Sequence, residues 1–189
     1  MKLLISECRR HRNYTSVEIV LRLMWAMSQP AFRWTPRILW GCRNLVLRAF
    51  GATLGRGVRI DPSVRIFAPW QLSIGDDTSI GWDVILYNLG PMRIGSRVTI
   101  SQGAHLCGGT HDFRHPEMRL QRMPITIEDD AWVCADAFIG PGVTVRSGAV
   151  VGARAVVTRN VPSGTVVAGN PAVEVNRRLI VGNPEDRAS

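Results

Sequence analysis

The sequence is poor in cysteine, and its cysteines follow no recognised spacing. The four, at positions 8, 42, 107 and 134, are widely separated, and no two of them form a C-x-x-C pair. A disulfide framework would need regularly spaced cysteines, and a zinc knuckle would need closely paired ones. We therefore expect reduced thiols, which are the rule in the cytosol, and no metal site.

Long apolar runs are also absent. The longest, Val17 to Met27, spans eleven residues and includes Glu18 and Arg22, whereas a membrane-spanning helix needs about 20 apolar residues. The opening Met-Lys-Leu-Leu-Ile runs directly into a charged segment, so it does not build the apolar region of a signal peptide. These absences favour a cytoplasmic protein.

Acidic residues are scarce in the first third of the chain. Residues 1–60 contain eleven Lys and Arg against two acidic residues, a net charge of +9, whereas residues 61–189 contain twelve Arg against thirteen acidic residues, a net charge of −1. The basic character therefore belongs to the N-terminal segment alone. No recognition helix or base-stacking motif accompanies it, so we expect no nucleic acid partner.

The body of the chain contains a six-residue repeat. An aliphatic residue recurs every sixth position in five groups of three: Leu54, Ile60, Ile66; Ile74, Ile80, Leu86; Ile94, Ile100, Leu106; Ile127, Val133, Ile139; and Val145, Val151, Val157. Six residues fit a short strand and a corner, but not a helix. Three such units complete a triangular coil, and stacked coils lie about 4.8 Å apart, as neighbouring strands do.

The repeat predicts an all-β fold, a parallel β-helix shaped as a triangular prism over residues 51–172, followed by a C-terminal tail at 173–189. Five glycines directly follow inward-pointing residues, and we expect them to form corners with unusual φ and ψ; they are Gly75, Gly81, Gly95, Gly140 and Gly152.

Residues 1–50 are predicted to form a basic helical cap. Short helices are expected over 17–27 and 38–50, separated by Pro30 and Pro36. Such a cap would cover the backbone and core that the first coil leaves open. In an alternative that the sequence leaves open, a basic face with Arg37, Arg43 and Arg48 also rests on an anionic membrane surface.

One long insertion, residues 107–126, interrupts the repeat. Insertions in a strict repeat are usually functional, and His111 lies at the root of this one. The other histidines have ordinary explanations: His11 lies in the basic segment, His105 should point outward from a strand, and His115 precedes a proline. From its position alone, His111 is as readily structural as functional.

Three motifs narrow these possibilities. The run from Pro124 to Val145, the run from Gly152 to Pro162, and Val167-Ala-Gly-Asn-Pro-Ala172 resemble the hexapeptide-repeat O-acetyltransferases. The stretch from Leu86 to Asp112, after an Arg-rich N-terminus, is similar to the colanic-acid-type exopolysaccharide acetyltransferases. The resemblance implies a left-handed coil, acetyl-CoA as donor, a sugar as acceptor, and a homotrimer whose active sites combine two subunits.

The resemblance also assigns roles to particular residues. It implies that His111 is the catalytic base, that Trp132, Ala135 and Ala153 line the pantetheine path, and that Thr158 and Arg159 lie near the adenosine phosphate.

The sequence departs from the family at two positions. An acceptor-binding Asn of the galactoside and maltose branch is Gly81 here, and a common C-terminal Arg is Val173. The first departure means that this branch's sugar preference does not carry over. Asn88, beside Tyr87, is an alternative acceptor contact, and Asp112 is a candidate for orienting His111.

Histidine suits the expected chemistry. An imidazole titrates near neutral pH, so it can accept the proton of a sugar hydroxyl that attacks a thioester and then return a proton to the leaving sulfur. No Gly-x-Ser-x-Gly elbow is present, which favours direct transfer over an acyl-enzyme.

Two other classes of function stay open. A non-catalytic scaffold or binding prism would share the fold, and a γ-type carbonic anhydrase would hold zinc on three histidines, although the spacing of His105, His111 and His115 does not match that family. The acceptor itself, whether a free, nucleotide-linked or lipid-linked sugar, is not determined by the residues. A lipid-linked acceptor would bring the basic segment to the inner face of the cytoplasmic membrane.

Overall fold

Two helices precede the repeat in the computed structural model, which describes residues 14–179. Helix α1 spans Ser16–Trp34 and α2 spans Trp40–Ala49, with a 3-10 turn at Arg37–Leu39 between them. A capping box starts α1: the Thr15 hydroxyl accepts the Glu18 amide at 3.2 Å, and the Glu18 carboxylate accepts the Thr15 amide at 2.8 Å.

Helix α1 is longer than the sequence predicted. It continues through Pro30 to Trp34, although proline lacks an amide hydrogen and normally kinks or ends a helix. Trp25 and Phe32, on either side of Pro30, are both buried, and their rings meet edge to face with centroids 5.7 Å apart. Their packing against the core holds the helix together on both sides of the proline.

The strands of the repeat form three sheets of parallel neighbours, and each sheet is one face of a triangular coil. Face A consists of β1 (Thr53–Leu54), β4 (Leu72–Ile74), β7 (Met92–Ile94), β12 (Ile125–Ile127) and β15 (Thr144–Val145). Face B consists of β2 (Arg59–Ile60), β5 (Ser79–Ile80), β8 (Thr99–Ile100), β13 (Trp132–Val133), β16 (Val150–Val151) and β18 (Thr165–Ala168). Face C consists of β3 (Arg65–Ile66), β6 (Ile85–Tyr87), β9 (His105–Cys107), β14 (Phe138–Ile139) and β17 (Val156–Val157). The chain visits A, B and C in turn, so successive faces meet at an A/B, a B/C and a C/A edge.

Three further elements depart from this pattern. β10 (Gly109–His111) and β11 (Leu120–Arg122) form an antiparallel hairpin between β9 and β12. A short 3-10 turn at Pro69–Gln71 precedes β4. β19 (Val173–Arg177) pairs antiparallel with β18, so the segment predicted as a tail begins with a strand that covers the last strand of face B.

All fifteen aliphatic positions of the repeat point into the prism, and none is more than 9% exposed. Successive coils place these positions directly over one another: in face B, Ile60 pairs with Ile80, Ile80 with Ile100, and Ile100 with Val133. The stacked aliphatic columns form one continuous core. The six-residue repeat and the coil that it predicts are confirmed.

The corner glycines are needed for close packing and not for unusual backbone angles, contrary to our expectation. None of the five has a positive φ; non-glycine corner residues such as Asp77 and Arg97 adopt it instead, at 55° and 56°. A Cβ on Gly75 would lie 2.6 Å from the amide nitrogen of Ser96 in the next coil. Stacking of one coil on the next therefore excludes a side chain there.

The helical cap supplies hydrogen bonds to the first coil. Strands at the open end of a β-helix have no preceding coil to pair with, so their carbonyl groups need other donors. Four cap side chains donate to them: Arg48 to the Leu54 carbonyl at 2.9 Å, Asn44 to Val58 at 2.8 Å, Arg43 to Ile60 at 3.0 Å, and Trp25 to Ile66 at 2.8 Å.

The arginines that we considered for a membrane-facing surface have other partners. Arg43 is 1% exposed and also donates to the carbonyls of Thr35, Pro36 and Arg37. Arg48 binds the first coil, and the Arg37 guanidinium lies 3.0 Å from the Asp61 carboxylate. Arg43 is therefore not available to a membrane surface, because unpaired carbonyl groups of the coil draw its side chain inward, whereas Arg37 and Arg48 stay exposed. Neither α1 nor α2, the helices described within residues 14–179, is long and apolar enough to cross a membrane.

Candidate active site

The insertion at residues 107–126 leaves the prism at the C/A edge as an antiparallel hairpin. Gly109 lies opposite Arg122, and His111 lies opposite Leu120. The hairpin begins where β9 ends on face C and returns to the coil at β12 on face A. His111 is therefore carried beside the prism on a strand that continues directly from the repeat.

The imidazole of His111 is oriented by a backbone carbonyl. Its Nδ1 lies 2.6 Å from the carbonyl oxygen of Met118. A carbonyl only accepts hydrogen bonds, so Nδ1 carries the hydrogen, and the Nε2 atom of the neutral ring has a free lone pair. The side chain is exposed. In this tautomer Nε2 is the ring nitrogen that can accept a proton.

Asp112, a candidate for orienting His111, forms no hydrogen bond with its imidazole. Its carboxylate accepts the Arg114 amide at 3.1 Å and forms a local turn, while its own amide donates to the Arg119 carbonyl. Met118, which supplies the orienting carbonyl, has a φ of 47°. The sequence carries no signal for this role because a main-chain carbonyl is present at every residue.

Asn88 is a structural residue and not an acceptor contact. Its side chain is fully buried; its carbonyl oxygen accepts the amides of Phe67 and Ala68, and its amide donates to the Ala68 carbonyl at 2.6 Å. The corner after β3 needs these bonds, so Asn88 has no exposed polar atom. The earlier assignment to acceptor binding is wrong.

Tyr87 lies at the base of the hairpin. Its ring meets Phe67 edge to face with centroids 4.5 Å apart. A Cβ on Gly109 would lie 2.7 Å from the same ring, so the glycine allows β10 to pass over the tyrosine. Burial raises the pKa of the Tyr87 hydroxyl, which keeps the group neutral.

Three of the expected donor-binding residues lie on face B and the B/C edge. Trp132 is half-exposed on β13, and its indole nitrogen donates to the Ser101 hydroxyl at 3.0 Å. Ala135 and Ala153 follow β13 and β16 at the B/C edge. Within residues 14–179 neither alanine amide donates to another protein group, so both are available to an elongated ligand that has amide groups of its own.

Thr158 and Arg159 lie at the C/A edge, directly after β17. Both are exposed. No carboxylate of residues 14–179 pairs with the Arg159 guanidinium, whereas Arg154 in the preceding turn lies 3.5 Å from Asp136. Arg159 therefore presents a free positive charge beside the coil, which suits a phosphate.

The chain does not gather the candidate residues around a single point. His111, Thr158 and Arg159 lie at the C/A edge, while Trp132, Ala135 and Ala153 lie on face B and at the B/C edge. Face C separates the two groups. The structure thus places the residues of each group at the same part of the prism, but it does not bring His111 close to Trp132.

A depression that sequence reasoning missed lies between the cap and face B. It has a volume of about 450 Å³, and its lining includes Trp40, Arg59, Asp61, Ser79 and Gln102. The Arg59 guanidinium lies over the Trp40 ring, 5.2 Å from its centroid. Ser101, which also lines the depression, accepts the indole hydrogen of Trp132, so the depression and the indole are contiguous. Helix and strand approach each other only in the folded chain, which is why no sequence motif marks this site.

The histidines of the insertion do not form a metal centre. Among residues 14–179 no three His, Cys, Asp or Glu side chains are placed to hold a metal ion. His105 packs its ring edge to face against Phe138, and His115 accepts the Glu117 amide. The trihistidine zinc site of a γ-type carbonic anhydrase finds no support here.

Comparison with known proteins agrees with this architecture. A family model described as the hexapeptide repeat of succinyl-transferase matches residues 124–159. The chain is 42% identical over 161 residues to the putative colanic acid biosynthesis acetyltransferase WcaF of Escherichia coli, covering 85% of this chain and 88% of the relative. It is 28% identical over 133 residues to the galactoside O-acetyltransferase of the same species, covering 68% of this chain and 65% of that one.

Solved structures lead to the same family. A hexapeptide-repeat acetyltransferase from Vibrio cholerae, complexed with acetyl-CoA, superposes with a TM-score of 0.80 at 27% identity, over 90% of this chain and 94% of that chain. A maltose O-acetyltransferase from Clostridium difficile shares the fold with a TM-score of 0.81 at 21% identity, over 88% and 90% of the two chains. Its similarity to WcaF, together with its repeat and its hairpin, shows that the chain belongs to the hexapeptide-repeat acetyltransferases, the family that includes those of colanic acid biosynthesis.

Proposed function

We propose that this protein transfers an acetyl group from acetyl-CoA to a hydroxyl group of a sugar during exopolysaccharide biosynthesis, with His111 as the general base. The observation that carries the proposal is the 2.6 Å contact between His111 Nδ1 and the Met118 carbonyl. In the neutral ring this contact favours the hydrogen on Nδ1 and leaves the lone pair of Nε2 for the sugar hydroxyl.

The reaction proceeds by direct transfer. Nε2 accepts the proton of the sugar hydroxyl while the hydroxyl oxygen attacks the thioester carbonyl. The tetrahedral intermediate then expels the CoA sulfur, and the sulfur takes the proton from the imidazolium. Two cysteines near the hairpin and the prism give no support to an acyl-enzyme. Burial raises the pKa of the Cys134 thiol, which disfavours its thiolate, and the Cys107 thiol donates its hydrogen to the Gly109 carbonyl.

The donor lies along the prism. The indole of Trp132 and the free amides of Ala135 and Ala153 suit the pantetheine arm, and the unpaired guanidinium of Arg159, beside Thr158, suits the adenosine phosphate. The relative from Vibrio cholerae, which binds acetyl-CoA, supports this donor.

The acceptor sugar lies in the depression beside face B. Trp40 offers an aromatic platform, and Asp61, Ser79 and Gln102 offer polar groups, which is the mixture that small polar ligands with an apolar ring face require. Because Ser101 joins this depression to Trp132, a sugar there would lie next to the end of the donor arm.

A homotrimer completes the site. His111 projects from the C/A edge, whereas the depression and Trp132 occupy face B, so a second subunit has to bring its hairpin to the first subunit's face B. This arrangement predicts complementation. A mixture of His111→Asn and Trp132→Ala subunits, refolded together, should regain part of the activity that each variant lacks alone. Mixing that restores nothing would contradict an active site shared between subunits.

The test of the activity begins with donor binding. Acetyl-CoA should raise the melting temperature of the wild type and of His111→Asn alike, because a ligand that binds the folded state stabilises it. The purified protein is then incubated with acetyl-CoA and a panel of free, nucleotide-linked and lipid-linked hexoses, and O-acetylated products are sought by mass spectrometry. We expect one class of acceptor to be acetylated by the wild type and, about a hundredfold to ten-thousandfold more slowly, by His111→Asn. A chain that neither binds nor turns over acetyl-CoA would be a non-catalytic prism.

The exposed side of α1 suits a peripheral contact with an anionic membrane at the cytoplasmic face. A stripe of apolar side chains runs along it, with Val17 at 69%, Met27 at 83% and Trp34 at 85% exposure. Arg33 on the same helix is also exposed, and the N-terminal third of the chain carries a net charge of +9. Amphipathic helices with basic flanks bind lipid surfaces in this way.

Vesicle binding tests the contact. Met27→Glu should abolish co-sedimentation with phosphatidylglycerol vesicles at low salt, and Trp82→Glu, at another exposed aromatic on the β-helix, should not. A Met27→Glu variant that changes its oligomeric state and not its vesicle binding would assign the stripe to a subunit contact.

A further inference from the structure

The hairpin that carries His111 needs support beyond its own two strands. β10 and β11 have three residues each and pair only with one another. An isolated two-stranded hairpin is marginally stable in water, yet a general base has to be held close to its working position. The contacts that fix the hairpin against the body of the protein therefore matter for the chemistry.

One such contact is an ion pair between residues 104 positions apart. A guanidinium nitrogen of Arg122, the last residue of β11, lies 2.7 Å from a carboxylate oxygen of Glu18 in the first turn of α1. The two side chains are 28% and 22% exposed, so solvent screens the pair only partly. The other Glu18 oxygen accepts the Thr15 amide at 2.8 Å. A single carboxylate thus joins the start of α1 to the hairpin.

Aromatic contacts reach the other strand. The Arg122 and Arg22 guanidinium groups lie 4.7 Å and 4.1 Å from the centroid of the Tyr14 ring. Arg22 also lies 5.3 Å from the Phe67 centroid, and Phe67 packs on Tyr87, the ring that Gly109 of β10 passes over. Both strands of the hairpin are therefore tied to the beginning of α1.

The register places the ion pair next to the base. Arg122 lies opposite Gly109, and His111 is two residues further along β10. Residues two apart on a strand, and residues directly opposite each other, share a face of the sheet. His111 and Arg122 consequently lie on the same face of the hairpin, so a tilt that follows loss of the ion pair would move the imidazole.

We propose that Glu18 and Arg122 are positioning residues for His111, and that the first turn of α1 sets the angle at which the hairpin presents its imidazole. The proposal rests on the function proposed above only where it predicts a change in kcat. The Thr15 amide, followed by Arg122, lowers the pKa of the Glu18 carboxyl, so the pair stays ionised over the neutral range in which the base operates.

The test uses Glu18→Gln, Arg122→Gln and the double variant. Glutamine at the third position of a helix still forms a capping box, so Glu18→Gln removes the charge and leaves the start of α1 intact. Arg119→Gln is the matched control, because it breaks an ion pair of the same hairpin, Arg119 to Glu117 at 2.8 Å, that does not reach α1.

We expect kcat to fall about tenfold to a hundredfold in each single variant, and the double variant to be no slower, because both changes break the same link. The KM for acetyl-CoA and the melting temperature should change little, and Arg119→Gln should keep its kcat. A kcat within twofold of the wild type in Glu18→Gln, or an equal loss in Arg119→Gln, would overturn the proposal.

An NMR measurement separates this inference from the proposed activity. The imidazole cross-peak of His111, identified by its absence from His111→Asn, should shift or broaden in Glu18→Gln and Arg122→Gln and stay in place in Arg119→Gln. That result would hold whether or not acetyl transfer is observed. An unmoved cross-peak in both variants would refute the positioning role even in an active acetyltransferase.

Discussion

The His111 imidazole and the Met118 carbonyl lie 2.6 Å apart across the hairpin, and Met118 holds its carbonyl there with a φ of 47°. A left-handed backbone conformation costs an ordinary residue about 1–2 kcal/mol. The tautomer of the base thus depends on a strained main-chain conformation and not on a second side chain. Functional sites commonly retain strain of this kind.

This relationship predicts that two substitutions at Met118 differ in their effect on kcat. Met118→Gly should retain near-wild-type kcat because glycine adopts a positive φ freely. Met118→Val should lower kcat by about tenfold, since a β-branched residue resists that conformation and the carbonyl would move away from Nδ1. Steady-state kinetics on both variants provide the measurement. Equal kcat values in the two would show that the carbonyl position does not govern the base.

Arg159 is expected to recognise a phosphate of the donor. Wild-type protein should bind CoA about tenfold more tightly than 3′-dephospho-CoA, as a charge-assisted hydrogen bond would provide. In Arg159→Gln the two ligands should bind alike, which calorimetry can measure. Arg154→Gln is the control because that guanidinium is also exposed but lies 3.5 Å from Asp136. A preference for CoA that survives in Arg159→Gln would assign the phosphate to another residue.

The sequence was sufficient to predict the coil because the repeat is local. Inward residues such as Ile60, Ile80 and Ile100 recur at fixed spacing in the chain and stack directly in space. The interruption of the repeat identified the insertion at residues 107–126 for the same reason, although not that it folds as a hairpin. A family resemblance then assigned His111, and the geometry of its ring supports that role.

Contacts between distant segments were beyond sequence reasoning. Arg43 was counted with a basic surface, but the open carbonyl groups of the first coil bury it. Asn88 has a polar side chain of the kind that binds sugars, yet its amide completes a corner of the coil. Pro30 suggested the end of a helix, although the burial of Trp25 and Phe32 outweighs its cost. Each of these outcomes depends on a partner that is remote in the chain.

The buried guanidinium of Arg43 should be important for stability. It donates four hydrogen bonds to backbone carbonyls, and a hydrogen bond from a charged group contributes about 1.5–3 kcal/mol. Arg43→Met should therefore lower the free energy of unfolding by at least about 2 kcal/mol in a denaturant titration. Arg33→Met makes the same chemical change at an exposed position and should stay within about 0.5 kcal/mol of the wild type. Similar losses in both variants would contradict the capping role.

His105 should make the protein less stable in acid. The residue is half-buried on face C, where desolvation, and then the charge of Arg65, lower the pKa of its imidazole below the ordinary 6.5. In the unfolded chain the ring is protonated more readily than in the fold, so the unfolded state binds more protons in this range. The stabilisation is therefore complete above about pH 6.5 and is lost as the pH falls from there through the folded pKa.

Thermal unfolding between pH 8 and pH 5 provides the measurement of this effect. His105→Phe, which keeps a ring against Phe138, should lose less stability on acidification than the wild type, since the site no longer takes up a proton on unfolding. Arg65→Gln should show an intermediate dependence because it removes only the smaller of the two causes. If His105→Phe and the wild type lost stability in parallel between pH 8 and pH 5, His105 would not be the source of the acid sensitivity.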